Sequence, residues 1–279
     1  TARGKGSTGG AANSSGTVST ERTAPVLGPE RDLMNNPSFR VIGAGRAGSS
    51  MERALTKAGW TAAPSLGRID ELAAAAHGVD VVIIATPDAV IATVAASIEP
   101  VSTTAVVHLS GSLGPEVLAP HARRAVVHPV MGLPNERIGA ARLLENGWFA
   151  LTEGCDPVGQ LIVDALGGRA ITLRDDPDTR ALHHAACCVA GNHVVTILGQ
   201  VERLANAAGV SPAAYFGLVR AVVDNVEQIG AAAALTGPVA RGDIGTVERH
   251  REAIAAHAPA ELALYDVLVP ATEDLSRCN

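Results

Sequence analysis

The chain has 279 residues, is 47% apolar and 18% charged, and carries a formal net charge of −6. The length leaves room for two domains. The acidic balance and the lack of any Lys/Arg block argue against nucleic acid as a partner, and no uninterrupted apolar stretch of membrane-spanning length argues against a membrane.

Residues 1–36 are rich in Gly, Ser, Thr, Ala and Pro without periodicity, and a disordered tail is expected there. The N-terminus has no apolar signal-peptide core, so a cytoplasmic location is expected. From Pro37 onward strand and helix signals alternate. Strands are expected at 39–42, 61–63, 81–85, 105–109, 125–127, 148–151 and 170–173. Helices are expected between them at 46–58, 69–76, 89–98, 115–119 and 157–166. The runs Val81-Val82-Ile83-Ile84 and Ala105-Val106-Val107 are apolar throughout, as strands buried on both faces should be. This alternation predicts an α/β domain with a doubly wound, mainly parallel sheet over residues 37–176.

After Asp175-Asp176-Pro177 no strand signal recurs. A helical stripe of Leu182, Ala186, Val189, His193, Ile197, Val201 and Leu204 runs from Asp178 to about Ala208, before Gly209. Further helices are expected near 212–230, 246–257 and 260–267. Residues 177–279 thus read as an all-α domain. Its long apolar helix suits a dimer interface or a domain core.

The densest local signal is Val41-Ile42-Gly43-Ala44-Gly45-Arg46-Ala47-Gly48. Three glycines in a G-x-G-x-x-G pattern follow a strand and open a helix, the context the dinucleotide fingerprint requires. The first glycine makes the turn, the second admits a pyrophosphate, and the third lets helix and strand pack. The pyrophosphate would sit at the helix N-terminus. Residues Gly43, Ala44, Gly45, Arg46, Ala47 and Gly48 are therefore expected to bind the cofactor. No carboxylate follows until Asp70, where an NAD-specific fold would place one for the ribose hydroxyl. Ser65 and Arg68 stand there instead, with Arg46 as a second fork, which favours NADP(H) over NAD(H). The alternative is a solvated Arg68. Thr86 and Pro87, after the third strand, are expected near the ribose or nicotinamide half. Asp88 is expected to cap the next helix.

The chain holds only two lysines, Lys5 and Lys57, neither near the expected reaction centre. Arginine and histidine must then carry any cationic work, and proton delivery at neutral pH suits a histidine. His184 is the first candidate for general acid and adjacent His183 its rival, with a structural histidine as the alternative for both. Asn192 is the second catalytic candidate; it lies two turns beyond His184, about 12 Å along a helix, so both cannot touch one small carbonyl, and one acts through water or is structural. Ser110 and His128, at the ends of neighbouring strands, are candidate substrate contacts or strand-end packing. Arg241 could hold a substrate carboxylate or pair with Asp243. No metal is expected, because the histidine spacings match no standard site. Cys155, Cys187, Cys188 and Cys278 contain no C-x-x-C pair, and read as reduced thiols.

The stretches Val41–Gly48, Ala85-Thr86-Pro87-Asp88, His108–Ser112, His128-Pro129, His184-Ala185-Ala186 with Asn192, and Ala234–Asp243 resemble a known family. It comprises Rossmann-like reductases whose C-terminal half is catalogued as a domain of unknown function, relatives of pyrroline-5-carboxylate reductase and 6-phosphogluconate dehydrogenase-like enzymes. The resemblance spans roughly residues 38–250. It implies an NADP-binding Rossmann domain, a helical C-terminal domain and a homodimer formed through it. Some members resemble an alternative ketopantoate reductase, which gives a substrate guess. One departure stands out. The wider β-hydroxyacid dehydrogenase group carries Lys four residues before the Asn, and here that position is Cys188. The expected function is NADPH-dependent reduction of a small keto acid. The alternatives are imine reduction and a non-catalytic NADP-binding module.

Overall fold

The computed structural model describes Thr1 and residues 36–278. The tail expected over residues 1–36 therefore falls almost wholly outside the described residues. Seven strands form one sheet: β1 (Ser38–Ile42), β2 (Thr61–Ala62), β3 (Val81–Ile84), β4 (Ala105–His108), β5 (Arg124–Pro129), β6 (Trp148–Thr152) and β7 (Arg169–Leu173). Their order is β2-β1-β3-β4-β5-β6-β7. All neighbours are parallel except β5 and β6. The mainly parallel, doubly wound sheet agrees with the alternation in the sequence.

The helices of this half are α1 (Arg46–Lys57), α2 (Asp88–Ala96), α3 (Glu136–Leu143) and α4 (Val158–Ala165). The stretches expected as helices at 69–76 and 115–119 form only 3-10 turns, Ala73–Ala76 and Pro115–Leu118. Sequence reading missed α3. It has eight residues, too few to display a period, and its clearest mark is Asn135, whose side chain accepts from Ile138 N–H.

Side chains on alternate strand positions feed the two faces of the sheet. Val81, Ile83, Val107, Val127 and Phe149 meet Met51 and Leu55 of α1 and Ile162 of α4 on one face. Val82, Ile84 and Val106 meet Ile91 of α2 and Leu118 on the other. This explains why β3 is apolar at every position, and all four of its residues are buried.

Beyond β7 every described element is helical: α5 (Pro177–Cys188), a π-helical turn (Val189–His193), α6 (Val194–Ala207), α7 (Phe216–Ile229), the short α8 (Ala231–Ala234), α9 (Ile244–His257) and α10 (Leu262–Ser276). The predicted helix from Asp178 to Ala208 is thus continuous, Pro177–Ala207, but carries a π bulge. By length and composition that helix is long and apolar enough to cross a membrane, in contrast to the absence of such a stretch expected from the sequence. An apolar helix packed against protein has the same length and composition. Arg203 on α6 grips Glu261 ahead of α10, at 2.5 and 3.0 Å, and Gln200 donates to the Glu261 carbonyl at 2.9 Å.

Candidate functional site

In the strand order, β2 and β3 lie on opposite sides of β1, so the chain reverses its winding there. Ligands of such sheets lie outside the carboxyl ends of the strands at that switch point. The glycine loop leaves β1 at this place. Gly43 has φ +104, and a Cβ there would lie 2.8 Å from the Ala85 carbonyl oxygen. A Cβ on Gly48 would lie 2.0 Å from the Gly43 oxygen. A Cβ on Gly45 meets nothing within 4 Å. The first and third glycines are therefore demanded by the fold, while Gly45 faces open space. Gly45 is also the N-cap of α1 and offers no side-chain cap, so the first-turn amides face the opening. Ala44, Gly45 and Arg46 are exposed there and Ala47 is half-buried.

The segment after β2 runs beside this loop. Gly43 N–H donates to the Leu66 carbonyl at 2.9 Å, and Leu66 N–H to the Val41 carbonyl at 2.9 Å. Ser65 and Arg68 flank that contact. Arg46 and Arg68 are exposed, and among the described residues neither guanidinium has an ion pair. The Ser65 hydroxyl donates to Glu52 at 2.8 Å. After β3, the Thr86 hydroxyl is buried without a hydrogen-bond partner among the described residues, and Pro87 is exposed. An orphaned hydroxyl at this edge, an open amide cluster and two free guanidinia fit a phosphorylated dinucleotide.

Asp88 does not cap α2, whose N-cap is Pro87. Its carboxylate instead accepts from Ser110 and Ser112 hydroxyls, at 2.7 and 2.8 Å. The Ser110 oxygen also accepts the amides of Ser112 and Leu113, at 3.1 and 3.2 Å. Ser110 thus organises the turn after β4, with its proton committed to Asp88. His108, at the end of β4, is buried and uses both ring nitrogens. Ser110 N–H reaches Nδ1 at 3.2 Å, which leaves Nε2 as the donor to the Gly114 carbonyl at 3.1 Å. Burial lowers its pKa below 6.5.

Helix α5 docks on this turn through Arg180, a residue that no motif or spacing marks. Arg180 is 5% exposed and pairs with Asp175 at 2.5 Å and Glu116 at 3.8 Å. A Cβ on Gly114 would lie 2.7 Å from the Arg180 guanidinium. One turn further on, His183 and His184 come to rest over His128 at the end of β5. His128 Nδ1 and His183 Nε2 are 3.3 Å apart. The His184 ring meets the His128 ring edge-on, centroids 5.9 Å apart. Burial, then the neighbouring His183 and His184, push the His128 pKa down to about 4, so its ring is neutral at neutral pH. Burial likewise lowers that of His183. Gly111 makes the room: a Cβ there would lie 2.6 Å from the His128 ring.

The structure therefore brings together the glycine loop, Thr86, Asp88, Ser110, His128, His183 and His184 along one sheet edge. It does not bring Asn192 or Arg241 into that group. Asn192 lies in the exposed π turn and Arg241 in the exposed loop before α9. Among the described residues no hydrogen bond or ion pair links either side chain to His128 or His184. Asp243 caps α9, accepting from Thr246 N–H at 3.0 Å, and forms no ion pair with Arg241.

Residues 150–272 match the family model described as "Domain of unknown function (DUF2520)". Comparison with curated proteins gives no match. Solved structures do match. A Thermotoga maritima protein is 22% identical, with 86% of this chain and 98% of that chain covered and a TM-score of 0.64. A reductive aminase from Aspergillus terreus, in complex with NADPH and ethyl levulinate, is 16% identical over 86% of this chain and 95% of that one, TM-score 0.64. Plasmodium falciparum pyrroline carboxylate reductase, with NADP bound, is 13% identical over 87% and 99%, TM-score 0.55. The chain has the fold of these proteins over nearly their whole length.

Proposed function

We propose that the protein is an NADPH-dependent reductase of a small keto acid, working in the cytoplasm as a homodimer. The observation that carries this is the open side of Gly45, at the switch point and on the same edge as the histidine group. The likeness in fold to structures holding NADPH or NADP supports it.

When bound, the cofactor supplies a hydride to the substrate carbon. The amides of Gly43–Gly48 hold its pyrophosphate, and Arg46 and Arg68 fork its 2′-phosphate. Ser65 joins them once its hydroxyl turns from Glu52. Thr86 gains the partner it lacks, and Pro87 keeps that turn rigid. His184 delivers the proton to the substrate oxygen. It is favoured over His183, because among the described residues its ring nitrogens make no hydrogen bond, whereas His183 contacts both His128 and Cys187. His128 and Ser110 border the substrate.

Helix α7 has no buried residue, although it presents Phe216, Leu218, Val222, Val223, Val226 and Ile229. An exposed apolar surface of this extent needs a cover. A second copy, pairing α7 and the π-bulged helix, would supply it.

The resemblance in sequence favours ketopantoate as substrate. The reductive aminase and pyrroline carboxylate reductase likenesses favour a second reading, reduction of a C=N bond. NADPH oxidation measured with ketopantoate and with pyrroline-5-carboxylate separates the two. Turnover of the keto acid supports the first reading and turnover of the imine alone supports the second. Cofactor binding without turnover of either would leave a non-catalytic NADP-binding module.

A further inference from the structure

We infer that His128, His183 and Cys187 form a binding site for a single borderline-soft divalent cation, zinc being the chemical type. The nitrogens of the two histidines and the Cys187 sulfur all lie within 4.8 Å of one another. Two of the three separations are informative. In a tetrahedral zinc site, Zn–N near 2.05 Å and Zn–S near 2.3 Å put two nitrogens about 3.3 Å apart and a nitrogen and sulfur about 3.6 Å apart. His128 Nδ1 to His183 Nε2 is 3.3 Å, and His183 Nε2 to Cys187 Sγ is 3.6 Å. His183 and Cys187 are four residues apart on α5, which puts both donors on one helix face. His128 projects from the end of β5, and Gly111 leaves it space.

The donor set is two imidazoles and one thiolate, with no carboxylate, so it selects against magnesium and calcium. Three protein ligands leave a fourth position for water or a substrate oxygen, the pattern of an open zinc site. Cation binding releases the Cys187 thiol proton to solvent and involves no electron transfer. The sequence carried no such signature because its third ligand comes from another element, 55 residues away. Binding of the ion does not rest on the reductase reading.

The full-length protein, stripped with chelator and free of nucleotide, is titrated with cobalt(II) and followed by absorption. The expected result is about one cobalt per chain, visible bands of tetrahedral intensity and a near-ultraviolet thiolate-to-cobalt band displaced by zinc. Cys187→Ser should abolish the near-ultraviolet band, and His128→Ala and His183→Ala should each weaken binding at least about tenfold. Cys188→Ser should leave the spectrum intact. Circular dichroism monitors the fold of each variant. Absence of tetrahedral cobalt bands in the unmutated protein would overturn the site even if every variant misfolded, and so would a thiolate band that survives Cys187→Ser. Calorimetric titration of the metal-free protein with NADPH reports separately on the nucleotide site.

Discussion

His128 Nδ1 stands 3.3 Å from His183 Nε2, although 55 positions separate the two residues. The contact joins the sheet edge to the helical half. It forms because Arg180, one turn before His183, is pinned between Asp175 and Glu116. Geometry at the site thus depends on a charged anchor outside it.

The glycine loop gives a paired test. Gly48→Ala forces a Cβ to within 2.0 Å of the Gly43 oxygen, so the turn must move. It should lower stability by about 2 kcal/mol and abolish nucleotide binding. At Gly45 a Cβ has no neighbour within 4 Å among the described residues, so Gly45→Val should shift thermal unfolding by less than about 1 kcal/mol. Its side chain fills the ligand's space, and NADPH affinity should fall at least about tenfold. Thermal unfolding and calorimetric titration distinguish the pair. A Gly45→Val variant that binds NADPH normally would remove the pyrophosphate from this loop.

Among the described residues Arg68 makes no ion pair, so its removal should leave folding untouched. Arg68→Ala should weaken NADPH binding by about 1.5–3 kcal/mol, the range for a charged hydrogen bond, and leave NADH binding unchanged. Equal loss for both nucleotides would place Arg68 away from the 2′-phosphate.

What the sequence revealed followed from how local each cause was. The glycine loop was legible because turn, approach and packing are all dictated within Gly43–Gly48. Strands β3 and β4 were legible because burial on both faces leaves a run with no polar position. Asp88 was misjudged as a helix cap, since a carboxylate before a helix usually caps it, and Ser110 and Ser112 claim it from 22 and 24 residues away. The role of Arg180 and the meeting of His128 with His183 were invisible for the same reason. Tertiary docking makes them, and no period or spacing encodes it.

The bare apolar face of α7 sets an expectation for assembly. The protein should sediment as two chains, and Val222→Glu with Val226→Glu should yield monomer without loss of helix content. Four carboxylates in the proposed dimer would face one another across a dry surface. An unmutated protein that sediments as one chain would refute the pairing.

Arg180→Ala tests the anchor. Its partners Asp175 and Glu116 are at least half exposed, so they return to water at little cost. What is lost is the packing of a buried guanidinium and its hydrogen bonds, about 1–3 kcal/mol in urea unfolding. Loosened docking of α5 should raise KM for the carbonyl substrate while the Kd for NADPH stays constant. A parallel loss of NADPH affinity would show that Arg180 supports the nucleotide half as well.

His108 predicts the acid side of the stability profile. Burial holds its folded pKa below the ordinary 6.5, and its two hydrogen bonds fix the neutral ring with Nε2 protonated. Charging it would set a second proton against the Ser110 amide. The unfolded chain therefore takes up a proton, as pH falls below about 6.5, that the folded chain refuses. The contribution to stability is complete above that value and is lost as pH drops toward the folded pKa. Urea unfolding with chelator present should show stability falling on the acid side of 6.5, with a smaller slope in His108→Gln. An identical slope in the variant would mean that other groups set the acid limit and that His108 charges freely in the fold.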